Sequence, residues 1–195
     1  MNEERPWHPS QEELCRKVAD ESKIRENLHR ESHYFYSRWS NYLQLPVILL
    51  SAVSGSLQFM SNSQSDPATA QIIITSTGTI SVFVSILSAV NSFLKFAELK
   101  KTHESVCNAW LSLYSQISSQ LALSRDLREQ ADEFVASIMN QYNHLYEISP
   151  IIRRSFIERV KRKLILQNDE HPGQAIECPP YLNGLTKTSI FMELE

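Results

Sequence analysis

YLQLPVILLSAVSGSLQFM at residues 42–60 and ATAQIIITSTGTISVFVSILSAVNSFL at residues 68–94 contain no Asp, Glu, Lys or Arg. The uncharged stretch extends from Arg38 to Asp66 and again from Asp66 to Lys95, in a chain that is 21% charged overall. Clustering of that kind is what hydrocarbon demands, because a charged side chain at bilayer depth costs several kcal/mol. At about 1.5 Å per helical residue, roughly 20 residues cross a hydrocarbon core of about 30 Å. The intervening SNSQSD at 61–66 is a short polar turn, and Asp66 followed by Pro67 has the chemistry of an N-cap and a first helical residue. The expectation is an antiparallel hairpin of two membrane spans. The alternative, two core helices of a soluble bundle, draws its support from the Ser and Thr content of both runs.

Outward from the hairpin, Tyr34, Phe35, Tyr36, Trp39 and Tyr42 stand just before the first run, the composition of an interfacial aromatic belt. Upstream, Ser10 and Glu13 fit a capping box that starts a helix at Ser10, with Leu14, Val18, Leu28 and Phe35 as a thin apolar stripe. Residues 1–9, with Pro6, Trp7 and Pro9, read as an irregular arm. The first ten residues lack an apolar core, so no cleavable signal peptide is expected. Arg30 and Arg38 precede the first run and Lys95, Lys100 and Lys101 follow the second, whereas the turn has neither Lys nor Arg. Basic residues stay on the cytosolic side, which predicts that both termini are cytosolic.

Downstream of Lys95 the helix is expected to continue without a stop. Phe96, Leu99, His103, Val106, Trp110, Leu113 and Ile117 alternate at spacings of three and four, a heptad seam. After a break near Leu123-Ser124, a second seam reads Leu127, Ala131, Phe134, Ile138, Gln141, Leu145 and Ile148. Two matched seams predict an antiparallel helical hairpin. Ser149-Pro150 then opens a helix over 151–167, in which Arg153, Arg154, Arg159, Lys161, Arg162 and Lys163 face one acid, and Ile152, Phe156, Val160 and Leu164 share a face. A basic amphipathic helix of this kind suits an anionic leaflet surface, and equally the solvated side of a bundle. The fold class is therefore all-α, a two-helix transmembrane hairpin continuing into a cytosolic antiparallel helical bundle. The divisions are a cytosolic arm and helix (1–41), the hairpin (42–94), the cytosolic helices (95–167) and an irregular tail (168–195).

Candidate chemistry is sparse. Gly78, Ser81, Ser85, Ser88 and Ser92 keep heptad spacing through the second run, and Ser51 with Gly55 forms a small-xxx-small pair in the first. In lipid such residues pack helices closely, or line a polar path when several copies assemble. Two spans shield little polar surface, so a homo-oligomer is expected. His29 and His33 stand at i, i+4, with no third ligand nearby in sequence, and His103 reads as a polar seam residue. Cys15, Cys107 and Cys178 are odd in number and far apart, the pattern of free thiols in a reducing compartment. There is no phosphate-binding glycine loop, nucleophile elbow, CxxC or HExxH. No enzyme activity, metal or cofactor is expected, and a net charge of −3 without a basic-aromatic patch gives no reason to expect nucleic acid.

Four segments in order carry a resemblance: Trp7-His8-Pro9, LPVILLSAVSGSLQF (Leu45–Phe59), SAVNSFLKFAELKKTHE (Ser88–Glu104) and SPIIRRSF (Ser149–Phe156). Together they resemble the SLATT-type two-transmembrane proteins, in particular the uncharacterised versions encoded by large nucleocytoplasmic DNA viruses. The resemblance implies a helix–span–span–helix architecture with cytosolic helices. It also brings the role assigned to prokaryotic members, pore-forming effectors that act beside nucleotide-signal sensors. No sensor domain is recognisable in these residues, so a nucleotide trigger is not expected. Two functions follow as expectations. One is an oligomeric pore lined by the serines. The other is a scaffold protein of a viral or host-derived membrane whose cytosolic helices bind a protein partner.

Overall fold

In the computed structural model, residues 7–170 and 176 are described, and among them the regular structure is entirely helical. The order is α1 (Pro9–Ser61), α2 (Pro67–Leu94), α3 (Phe96–Ala122), a 3-10 turn (Arg125–Leu127), α4 (Ala131–Ile148) and α5 (Arg154–Glu170). The chain divides into two compact units. The first comprises the described residues of 1–32 and 103–195, the second residues 33–102. The expected tail from Asn168 is helical as far as Glu170, and the Asn168 side chain closes onto Ile176 through bonds of 2.8 and 3.0 Å. Cys178 and most of the tail lie outside the described residues.

α1 is one helix of 53 residues, where the sequence suggested a helix and a separate span. It begins at Pro9 rather than Ser10, its cap lying two residues before the one that the Ser10–Glu13 box predicts. His8 is the cap, Pro9 takes the first helical position, and Gln11 reaches back to accept from the His8 backbone N–H at 3.0 Å. Glu13, free of capping duty, receives Arg16 at 2.7 Å. Further on, Pro46 removes the N–H that would have bonded the Tyr42 carbonyl, yet the helix continues to Ser61. α2 is capped as expected: Asp66 accepts from the Ala68 and Thr69 backbone N–H groups at 3.3 and 3.1 Å. It stops at Lys95, which adopts the left-handed conformation at φ 50°. The uninterrupted helix through Lys95 predicted from the heptads is therefore broken, at a residue for which that conformation is sterically unfavourable.

The first unit is built on one apolar core. Cys15, Val18 and Ala19 of α1 meet Val106, Trp110, Leu113 and Ile117 of α3 and Ala131, Phe134, Ile138 and Leu145 of α4. Every α3 seam residue from His103 to Ile117 is buried, because a three–four apolar repeat brings one side of a helix round to the core at each turn. The α4 seam is only half as predicted. Gln141 is exposed and Tyr142 packs in its place, Leu127 sits exposed in the 3-10 turn, and Ile148 is exposed. Leu14, read as part of the α1 stripe, also faces out.

Two further contacts fasten this core. Trp7 is buried, donates its indole N–H to the Glu129 carbonyl at 2.9 Å and lies 5.7 Å from the Phe134 ring, so this part of the expected arm, the rest of which lies outside the described residues, docks here. Glu12 accepts from Arg125 at 2.8 Å and Arg128 at 2.6 Å, and these two guanidinium hydrogen bonds hold its carboxyl down to about 2.

From Leu43 to Ser61 of α1 and from Ile73 to Asn91 of α2 the less exposed positions are Leu43, Val47, Leu50, Ser54, Leu57 and Ser61, and Ile73, Thr77, Ile80, Val84, Leu87 and Asn91, while Tyr36 and Ser40 are buried earlier in α1. Both sets alternate in steps of four and three, and Ser54 and Ser81 bring hydroxyls to 3.4 Å. Away from this seam the apolar side chains point outward: Ile48, Leu49, Phe59, Ile72, Val82, Phe83 and Phe93 are all more than half exposed. None of the most apolar window of α1 is buried, and 6% of that in α2. Both helices are long and apolar enough to cross a membrane. Below the apolar windows, Tyr36 and Trp39 lie 6.0 and 6.3 Å from the Phe96 ring, and Trp39 lies 6.4 Å from Tyr42.

Candidate functional site

The seam of α2 runs through Thr77, Ile80, Val84, Leu87 and Asn91, one residue offset from Gly78, Ser81, Ser85, Ser88 and Ser92. That single-residue offset turns the small stripe about 100° away from the seam, onto open surface. All five residues are exposed, as are Ser51 and Gly55 on α1, and a Cβ added at Gly55 or Gly78 would meet nothing within 4 Å. Within one chain the stripe is therefore not what joins the two helices, apart from the Ser54–Ser81 contact.

Most of the hydroxyls already have partners. Thr75, Thr77, Thr79, Ser81 and Ser85 each donate to the carbonyl four residues back, at 2.8–3.0 Å. A hydroxyl satisfied this way can face an apolar surrounding at little cost and still offer lone pairs to a cation or to water. At one end of the stripe, Ser88 and Ser92 join Gln44, Asn91, Lys95 and Glu98 in lining an open groove of about 780 Å³. The Asn91 amide oxygen is buried there without a hydrogen-bond partner. Phe96 and Leu99 of the α3 seam are half-buried in this unit.

Comparison with models of known families, with characterised proteins and with solved structures gives no match.

The basic residues of α5 are distributed around an apolar face that is already occupied. Val160 and Leu164 pack with Ile24 and Leu28 of α1, with Ile152 against the same cluster, and Phe156 is also buried. Arg159 reaches Glu31 at 3.3 Å, and Lys163 pairs with the same carboxylate, which the two cations hold below the usual carboxylate range, Lys163 most strongly. Arg154 lies 4.0 Å from Glu158. The helix begins at Arg154, so Arg153 precedes it, Lys161 is half-buried on its flank and Arg162 is exposed. Insertion of this apolar face into a leaflet is thus precluded in the folded unit. Any surface attraction would fall to the basic residues and to Ile151, Ile165 and Leu166, which are exposed.

Sequence reasoning missed a buried polar stripe on α1. Ser22, Glu26, His29 and Ser32 are each no more than 1% exposed. Ser22 and Ser32 donate to carbonyls four residues back at 2.6 and 2.9 Å. Glu26 pairs with Arg30, and Lys23 Nζ lies 3.3 Å from its other oxygen without a well-directed hydrogen bond. The Cys107 thiol approaches the Glu26 carbonyl at 3.5 Å, and burial followed by the Glu26 charge pushes that thiol up. His29 does not pair with His33, which instead meets the Lys100 carbonyl at 3.2 Å. Its partner is His103, with the two Nδ1 atoms 3.0 Å apart. Among the described residues no three His, Cys, Asp or Glu side chains are placed to hold a metal ion. The signal was present as three–four spacing on α1, but in polar residues, which ordinarily mark a solvated face.

Proposed function

We propose that residues 42–60 and 68–94 cross a bilayer as an antiparallel hairpin, with both termini cytosolic, and that copies of the chain assemble into a pore along Gly78, Ser81, Ser85, Ser88 and Ser92. The observation that carries this reading is the outward placement of that stripe. The intrachain seam uses the neighbouring residues, leaving a small, hydroxyl-rich strip unshielded on an otherwise apolar, uncharged helix. In hydrocarbon such a strip is best covered by another copy or by a polar path, because the apolar residues around it gain nothing from helix association in lipid. The absence of charge in both runs, the basic flanks and the Lys-free turn support the orientation. The SLATT-like order of segments agrees with the same architecture, with the α3 and α4 seams forming an antiparallel cytosolic pair.

One observation favours the scaffold reading instead. The Ser81 and Ser85 hydroxyls are bonded to their own helix, so they do not require water. Purified protein in liposomes separates the two. Small-ion leakage by the wild type, reduced at least tenfold by Ser85→Leu with assembly retained, is the expected result. An assembled wild type that leaks no ions contradicts the pore and leaves the hairpin as a membrane scaffold.

A further inference from the structure

We infer that His29 and His103 form a proton-sensing pair, which holds α1 against α3 while both rings are neutral and releases it when further protons enter. The pair lies within the first unit, and the inference does not rest on the pore reading.

Both rings are enclosed, at 0% and 1% exposure, with centroids 5.2 Å apart. An Nδ1–Nδ1 distance of 3.0 Å has room for one proton between the nitrogens. In the neutral pair one ring donates Nδ1–H and the other accepts. The His29 Nε2 is buried with no partner, so the favoured tautomer leaves that nitrogen bare and makes His29 the donor. One added proton puts a cation in this enclosed site; on His29 it would sit at Nε2, facing no acceptor. A second leaves a hydrogen on both Nδ1 atoms, and the contact becomes repulsive. Two nitrogens without a convergent third ligand suit a proton better than a metal.

The surrounding charges are engaged elsewhere. On α1, Arg25 pairs with Glu21 at 2.9 Å and stacks over Trp110 and Tyr146, while Glu26 pairs with Arg30. On α3 the Cys107 thiol is turned to Glu26, Glu104 next to His103 faces outward, and the Lys100 carbonyl meets His33. On α4 the Tyr142 hydroxyl donates to Glu21 at 2.7 Å, and on α5 Arg159 and Lys163 are held by Glu31. Of these cations, Arg25 is the one that acts on His29.

Burial first, then His103 and Arg25, lower the His29 pKa to about 3 from 6.5. A folded-state value below the unfolded one means that the unfolded chain binds the proton more readily. The stabilisation is complete above pH 6.5 and declines as pH falls toward 3. Between pH 7.5 and 5.0 the closed arrangement should lose about 30-fold in its equilibrium.

The full-length protein in lipid nanodiscs, followed by hydrogen–deuterium exchange corrected for intrinsic rate, tests this. Protection over residues 22–32 and 103–110 should fall about 30-fold at pH 5.0, and His29→Leu/His103→Leu should abolish that pH dependence. Unchanged wild-type protection overturns the inference. So does an equal loss in the double variant, which would point to Glu26. Should the double variant not fold, imidazole ¹⁵N spectra of the wild type decide. A His29 ring still neutral at pH 6 is the expected result, and a His29 midpoint near 6.5 refutes it.

Discussion

Trp110→Ala should destabilise the first unit by about 3–5 kcal/mol, the range for removing a large aromatic from a packed core. Trp110 has no exposed surface, and its ring lies edge-on to Tyr142 at 5.6 Å with the Arg25 guanidinium 5.3 Å from its centre. Its indole N–H donates to the Ser149 hydroxyl at 3.1 Å, at the α4–α5 junction, so one side chain ties α1, α3 and the end of α4 together. Alanine would leave a cavity that Leu113, Phe134 and Ile138 cannot fill without shifting. Trp110→Phe keeps most of the volume and loses the hydrogen bond, for an expected cost of about 1–1.5 kcal/mol plus a smaller cavity term. Denaturant titration followed by helical ellipticity measures both. A loss below about 1 kcal/mol for the alanine variant would mean that Trp110 is not the centre of this core.

Val82→Arg is expected to impair membrane insertion of α2 by about 2.5–3.5 kcal/mol, roughly a hundredfold in the insertion equilibrium. Val82 lies near the middle of α2, is 60% exposed and stands off the seam with α1. The two environments predict different outcomes. On a water-facing helix, exchanging an exposed valine for arginine is close to neutral, because no packing is lost and helix propensity improves. In hydrocarbon the same change places a charge where no partner exists, since α1 and α2 carry none at that depth. Ile86→Arg, one turn further on and 55% exposed, should roughly double the penalty when combined with it. The inserted fraction during translation in the presence of microsomes reports the effect. Unchanged insertion of the double variant would count strongly against a lipid-facing α2.

How much of this was legible in the sequence depends on which physical signal each residue carries. The α3 seam could be read because burial in water selects apolar residues, and Val106, Trp110, Leu113 and Ile117 repeat without interruption. The absence of charge from 42–60 and 68–94 marked the two helices that are long and apolar enough to cross a membrane. The small stripe of α2 was visible, but not its side. Gly78 to Ser92 and Thr77 to Asn91 are parallel heptads one residue apart, and both contain polar groups, so composition could not decide which one meets α1. The α1 stripe was hidden by its chemistry, since Ser22, Glu26, His29 and Ser32 look solvated until back-bonded hydroxyls, an ion pair and a second histidine from α3 satisfy them. The stop at Lys95 was equally unsignalled, because a left-handed lysine leaves no mark in a hydrophobic repeat. The Tyr142-for-Gln141 slip in α4 is a matter of one residue, where the bulkier ring won the buried position beside Trp110.

The proposed residence of residues 42–60 and 68–94 in hydrocarbon underlies the hairpin, the orientation and the pore alike. The most direct measurement is fractionation of the wild-type protein made in cells without detergent, with the membrane pellet washed at alkaline pH. The chain should remain in the pellet and come free only when detergent dissolves the lipid. A folded monomer recovered in the supernatant would contradict the account.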